Sequence, residues 1–116
     1  MQYMLLIYGA EGADPQPGTE EFGAYMQDYM TFTTRMRDEG KFVAGDALQP
    51  ISTATTVSVS SGKVETVDGP FAETKEQLGG YYLLECADLD EALKCAADIP
   101  TAKYGRVEVR PIMVFD

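Results

Sequence analysis

Residues 3–7 (Tyr-Met-Leu-Leu-Ile) and 81–84 (Tyr-Tyr-Leu-Leu) are apolar or aromatic at every position. As strands they would carry such side chains on both faces of a sheet. An antiparallel strand with one wet face alternates apolar and polar residues instead. Both faces of this sheet therefore need covering, and the rest of the chain limits what can do it.

The other periodicities place the elements around these two strands. Residues 2–8 read as the first strand, followed by a loop over 9–18 with Pro15 and Pro17. Thr19 offers an N-cap, with Glu20 and Glu21 at the positive end of a helix dipole. Phe22, Tyr25, Met26, Tyr29, Phe32 and Met36 recur at helical spacing and form a core stripe. That helix ends near Gly40, with Arg35 and Arg37 in its last turns. Strands follow over 42–48, 54–60 and 63–67, the last two joined by a hairpin turn at Ser61-Gly62. A fifth strand covers 78–85. Asp88 and Glu91 then have capping-box spacing, opening a helix to about Ala97 whose apolar face is Leu89, Ala92, Leu93 and Ala96. Pro100 closes it, and a last strand runs from Arg106 to about Val114.

This order predicts an α+β fold, a ferredoxin-like split βαβ with an inserted β-hairpin and an antiparallel sheet, forming a single domain over residues 1–116. Two helices cover one face of such a sheet, and no spare segment remains for the other. A second copy packing sheet on sheet would supply it, so a homodimer is expected.

The formal net charge is −10, from 19 acidic and 9 basic residues. A field of that sign repels phosphate backbones and anionic membrane surfaces, so neither nucleic acid nor membrane is expected as a partner. No apolar run approaches the roughly 20 residues that span a bilayer, and residues 1–7 lack the basic start of a signal peptide. A cytoplasmic protein is expected, with Cys86 and Cys95 as inert thiols. There is no histidine, which removes histidine-dependent nucleophile systems, a histidine base and the usual imidazole metal ligands. The expectation is no metal site and no cofactor, with any proton transfer falling to carboxylates, Lys, Tyr or Cys.

The chemically densest stretch is residues 67–82. In Asp68-Gly69-Pro70-Phe71, Asp and Gly favour a turn, and Pro70 restricts the backbone on both sides. Two readings fit: a rigid turn at a strand end, or a turn that holds the Asp68 carboxylate beside a cavity with Phe71 as an anchor. Glu73 and Lys75 follow, either as part of a solvated loop or as a rim carrying a base and a cation. If that piece were helical, Glu73 and Gln77 would share a face. Gly79-Gly80 suggests a bulge or a close backbone approach. Asp46, near the end of the second strand, reads either as an exposed turn carboxylate or as a carboxylate in an apolar neighbourhood. Arg106, Glu108 and Arg110 should share one face of the last strand, opposite Val107 and Val109, available for cross-strand pairing or for a carboxylate ligand.

The stretch from Val67 to Glu85 resembles the signature of DGPF-domain proteins, a branch of the YCII-related family. Residues 4–8, 44–50 (Ala-Gly-Asp-Ala-Leu-Gln-Pro) and 107–111 (Val-Glu-Val-Arg-Pro) are also similar to that family. The resemblance implies a ferredoxin-like chain assembled as a dimeric α+β barrel. YCII proteins proper carry a His–Asp pair; Asp98 resembles its aspartate, and the histidine has no counterpart here. Relatives with the DGPF motif are associated with extracytoplasmic-function sigma factors, which implies a signal-linked role.

Together these readings predict a homodimer that binds a small molecule in a cleft between sheet and helices, beside the loop of Asp68 and Glu73. Asp68 and Glu73 are the acid–base candidates. Arg110 is the candidate anion anchor, Tyr8 and Phe71 are wall residues, and Asp46 is a further ligand-binding candidate. The alternative is a non-enzymatic regulator that meets a protein partner linked to a sigma-factor pathway through its acidic surface.

Overall fold

The computed structural model describes all residues from Met1 to Asp116. Six strands and two helices follow the order β1 (Gln2–Ala10), α1 (Glu20–Asp38), β2 (Phe42–Ala47), β3 (Thr55–Ser60), β4 (Lys63–Asp68), β5 (Glu76–Glu85), α2 (Leu89–Ala97) and β6 (Arg106–Pro111). Short 3₁₀ turns at Ile51–Thr53 and Pro100–Lys103 punctuate the chain. The main sheet has order β2-β5-β1-β6 with every neighbouring pair antiparallel. That is the ferredoxin-like α+β topology, with β3 and β4 as a separate two-stranded arm.

Burial along β1 alternates as its pleat requires. Tyr3, Leu5 and Ile7 are buried, while Met4, Leu6 and Tyr8 are half-buried on the opposite face. On β5, Tyr82 and Leu84 join the buried face and Tyr81 and Leu83 the other. Phe32 and Met36 of α1 and Ala92, Cys95 and Ala96 of α2 close the core over the buried face, with Cys86 and Ile99. Both helices lie on one side, so the face of Met4, Leu6, Tyr81 and Leu83 has no covering layer within the chain. Arg106, Glu108 and Arg110 lie opposite Tyr8, Leu6 and Met4 in register and share that face.

α2 is rotated from the face expected in the sequence. Ala92, Cys95 and Ala96 are buried, whereas Leu89 and Leu93 are exposed. The small residues let the helix approach the sheet closely, and Ile99 extends the stripe at the next turn. Its cap follows the sequence: the Asp88 side chain accepts from the Glu91 N–H at 2.9 Å, and Glu91 accepts from the Ala87 N–H at 3.3 Å. Thr19 sits at the N-cap of α1 without capping it, because its hydroxyl donates back to the Gln16 carbonyl at 2.7 Å. The segment after the arm is not helical. Glu73 lies in irregular chain between two bends, and Gln77 is already paired within β5 against Gly9.

The glycine pair of β5 acts as its spacing suggested. The β1–β5 register shifts there, with Ile7 opposite Gly80 and Tyr8 opposite Leu78, which leaves Gly79 as the extra residue of a bulge. At Gly80 a Cβ would lie 2.9 Å from the Asp46 carbonyl oxygen, so only glycine lets β2 pass this close.

The arm stands away from the body. The radius of gyration is 16.2 Å, against about 13 Å for a compact chain of this length. Val57, Val59 and Val64 share one face of the arm and are each more than 60% exposed.

Candidate functional site

A cleft of about 600 Å³ opens between α1 and the sheet. The loop after β1 forms one rim, and residues 45–51 with the first half of β5 form the other. Its floor and walls are unusually rich in phenols: Tyr25, Tyr29, Tyr82 and Tyr104 line it, with Phe42 and Met26, while the phenol of Tyr81, at the cleft's edge, belongs to the opposite sheet face.

The phenols are organised by helical spacing and by one distant turn. Tyr25 and Tyr29 stand one helical turn apart on α1, with rings edge-to-face at 5.3 Å between centroids. Tyr104 meets Tyr25 edge-to-face at 5.8 Å. Thr101, in the 3₁₀ turn that Pro100 opens, brings its hydroxyl to both phenols of the helix. The Tyr25 and Thr101 oxygens are 2.5 Å apart, and Tyr29 bonds the same Thr101 oxygen. Tyr25 also donates to Asp14 Oδ2 at 3.1 Å, while Gln16 Nε2 donates to the other Asp14 oxygen at 3.1 Å. Burial pushes the Tyr25 phenol well above its ordinary range and raises Tyr29 and Tyr82 in the same direction. These groups therefore keep their protons and act as hydrogen-bonding hydroxyls.

Tyr82 holds the other end of the cleft. Its hydroxyl and that of Thr33 lie 2.6 Å apart, and its ring packs edge-to-face on Phe32 at 5.1 Å. Gly45 leaves room for that ring, since a Cβ there would stand 2.7 Å from it. Arg37 is the one cation lining the cleft, and its guanidinium lies 4.7 Å over the Phe42 ring. Glu11, Asp14 and Asp46 also line it, so the cleft's formal charge is negative.

The residues singled out in the sequence are not gathered in one place. Asp46 lines the cleft and accepts from the Tyr81 hydroxyl at 2.7 Å; that bond raises the Tyr81 phenol. Tyr8 lines a separate shallow depression of about 440 Å³ with Glu76, Arg106 and Glu108, where Arg106 and Glu76 pair at 2.9 Å. Arg110 lies on the uncovered sheet face, paired with Glu108. Asp68 ends β4 on the exposed arm, Phe71 just beyond it is 90% exposed, and Glu73 is exposed in the irregular chain that follows. None of Asp68, Phe71 and Glu73 lines the cleft of its own chain. Asp98 is held by Arg35 at 2.8 Å, tying the ends of α1 and α2 together outside the cleft.

Tyr25, Tyr29 and Thr101 were legible in sequence only as core and connector. Their signal was the choice of Tyr over Phe at two positions one turn apart, on a stripe where phenylalanine would pack as well. Three or more residues that could hold a metal ion are nowhere clustered. No helix is long and apolar enough to cross a membrane.

The model of the YCII-related domain matches residues 1–116. An uncharacterized protein of Rhizobium meliloti (strain 1021) is 39% identical over 117 residues, covering 99% of this chain and 94% of the relative. Among solved structures, the 5-chloro-2-hydroxyhydroquinone dehydrochlorinase TftG from Burkholderia phenoliruptrix AC1100, in complex with 2,5-dihydroxybenzoquinone, superposes with a TM-score of 0.52 at 13% identity. The match covers 97% of this chain and 94% of that one and shows a shared fold. On the whole-length domain match and the Rhizobium relative, the chain belongs to the YCII-related family.

Proposed function

We propose that this protein binds a small, planar, hydroxylated ring in the cleft between α1 and the sheet. The observation that carries the reading is the lining itself: the phenols of Tyr25, Tyr29, Tyr82 and Tyr104 and two threonine hydroxyls around about 600 Å³, with a single arginine. Aromatic walls favour a flat ring by edge and face contacts. Ordered hydroxyls favour a ligand bearing polar groups at its rim. The fold shared with TftG, a dehydrochlorinase solved in complex with 2,5-dihydroxybenzoquinone, supports a ligand of this size.

The same reading includes a homodimer formed through the uncovered sheet face. Met4, Leu6, Tyr81 and Leu83 form an apolar centre there, flanked by the ion pairs of β6. Asp68, Phe71 and Glu73 belong to this arrangement. Lying outside their own cleft, Asp68 and Glu73 would contribute acid–base groups, and Phe71 a wall, to a ligand only across a subunit boundary. Two unpaired cysteines inside the core suit a reducing, cytoplasmic setting.

A second reading is a regulatory protein with a partner in a sigma-factor pathway, as the resemblance to DGPF-motif proteins suggests. The exposed valine face of the arm and Phe71 favour it, because such patches commonly mark contacts between proteins.

A thermal-shift screen over hydroxylated aromatic rings tests the leading reading. A ligand at a hundredfold excess over its Kd should stabilise the protein by about 2.7 kcal/mol. No shift with any ring, alongside stable capture of one specific protein by the arm, would favour the second reading.

A further inference from the structure

We propose that Asp14 fixes the direction of the hydroxyl chain Tyr25–Thr101–Tyr29 and so makes the cleft select ligands that donate a hydrogen bond over matched ligands that only accept one. The inference rests on the cleft being the ligand site and adds the sense of its polar recognition.

The direction follows from counting protons. A carboxylate has none to give and only accepts. Tyr25 has one O–H, and Asp14 Oδ2 takes it. Thr101 Oγ1 sits 2.5 Å from the Tyr25 oxygen, so the shared proton of that contact must come from Thr101. Having spent its only proton on Tyr25, Thr101 accepts from Tyr29. The chain therefore runs Tyr29 to Thr101 to Tyr25 to Asp14, with every O–H pointing away from Tyr29. Tyr29 has no proton left for a ligand, and what it offers is a lone pair.

Three features hold this order in place. Tyr25 and Thr101 are each 7% exposed, so water has little access to break the sequence of bonds. Burial also keeps the Tyr25 phenol protonated, so the chain does not lose its middle donor. Gln16 then fixes the carboxylate's orientation by occupying its other oxygen. A ligand O–H or N–H beside Tyr29 completes the chain. A carbonyl or ether oxygen there meets lone pairs and leaves its own acceptor unpaired, a penalty that sites built around a hydrogen bond use to reject analogues.

Asp14→Asn turns this logic round. Gln16 Nε2 would hold the amide oxygen and leave the amide N–H₂ facing Tyr25. The chain can then run from residue 14 outward, ending with the Tyr29 proton pointing into the cleft.

Phenol and pyridine N-oxide test this, being near-identical in shape but donor and acceptor respectively. NMR titration of each into the wild-type protein should give a Kd for the N-oxide about tenfold or more above that for phenol. In Asp14→Asn that ratio should fall about tenfold. Tyr25→Phe, which cuts the chain from the carboxylate, should also lower it. An unchanged ratio in both variants, while phenol still shifts cleft resonances, would overturn the directional chain and leave the cleft as a ligand site. Absence of binding by both probes to the wild type would remove the ligand site and this inference together.

Discussion

The hydroxyls of Tyr25 and Thr101, 76 positions apart in the chain, meet at 2.5 Å beneath α1. This contact ties the first helix to the turn that precedes the last strand. Thr101→Val keeps the side-chain shape and deletes the shared oxygen, leaving the half-buried Tyr29 hydroxyl without its acceptor and the buried Tyr25 with Asp14 alone. A loss of about 1–3 kcal/mol is expected, read from the urea midpoint at unchanged slope. Thr101→Ser, which restores the hydroxyl, should recover most of it.

The packing of Tyr82 over β2 makes Gly45 intolerant of a side chain. A Cβ at Gly45 would lie 2.7 Å from the Tyr82 ring and 3.2 Å from the Tyr81 carbonyl oxygen. Gly45→Ala should destabilise by about 1–3 kcal/mol through overpacking. It should also displace the Tyr82 hydroxyl from Thr33, visible as altered NMR shifts at Thr33.

How much of this could be read beforehand differs between fold and site. The strand order, the insertion of the arm, the bulge at Gly79-Gly80 and the common face of Arg106, Glu108 and Arg110 followed from local pattern. Period and turn chemistry are local, and these features depend on little else. The rotation of α2 differs from the sequence pattern because two leucines outweighed Cys95 there, while close packing against the sheet favoured the smaller residue. The hydroxyl cluster was missed for a different reason. Asp14, Tyr25 and Thr101 lie in three separate segments, and only tertiary packing brings them together. Chemical density drew attention to residues 68–77 instead, which the chain places at the root of the exposed arm and the start of β5.

Alkaline pH should weaken the fold through its buried thiols and phenols. Burial pushes the Cys86 thiol up to about 11, with the nearby Cys95 adding to the effect, and burial raises Cys95 too. An unfolded thiol ionises near its ordinary value of about 8.5. Below that pH both states hold the proton and the full stability is present. Between about 8.5 and 11 the unfolded state sheds the proton first, so stability falls with rising pH. Raised Tyr25, Tyr29 and Tyr82 extend the decline in the same direction. Urea midpoints at pH 7.5 and 10.5 should show the drop; equal midpoints would contradict it.

The uncovered sheet face predicts a mass. Leu6 and Leu83 lie near its centre, half-buried within one chain. Light scattering at micromolar concentration should give twice the chain mass of 12.7 kDa. Leu83→Glu should return the protein to the single-chain mass while retaining helical and strand signals in circular dichroism. A monomeric wild type would leave that face without a covering layer and refute the homodimer.

The position of a bound ligand distinguishes the cleft from every other surface of the chain. A ¹⁵N–¹H NMR titration with resorcinol, a flat dihydroxylated ring, measures this directly. Shifts concentrated at Tyr29, Thr33, Gly45, Gly80 and Thr101, with Kd values agreeing among them, are the predicted result. Shifts confined to Asp68, Phe71 and Glu73, or to the valine face of the arm, would contradict it.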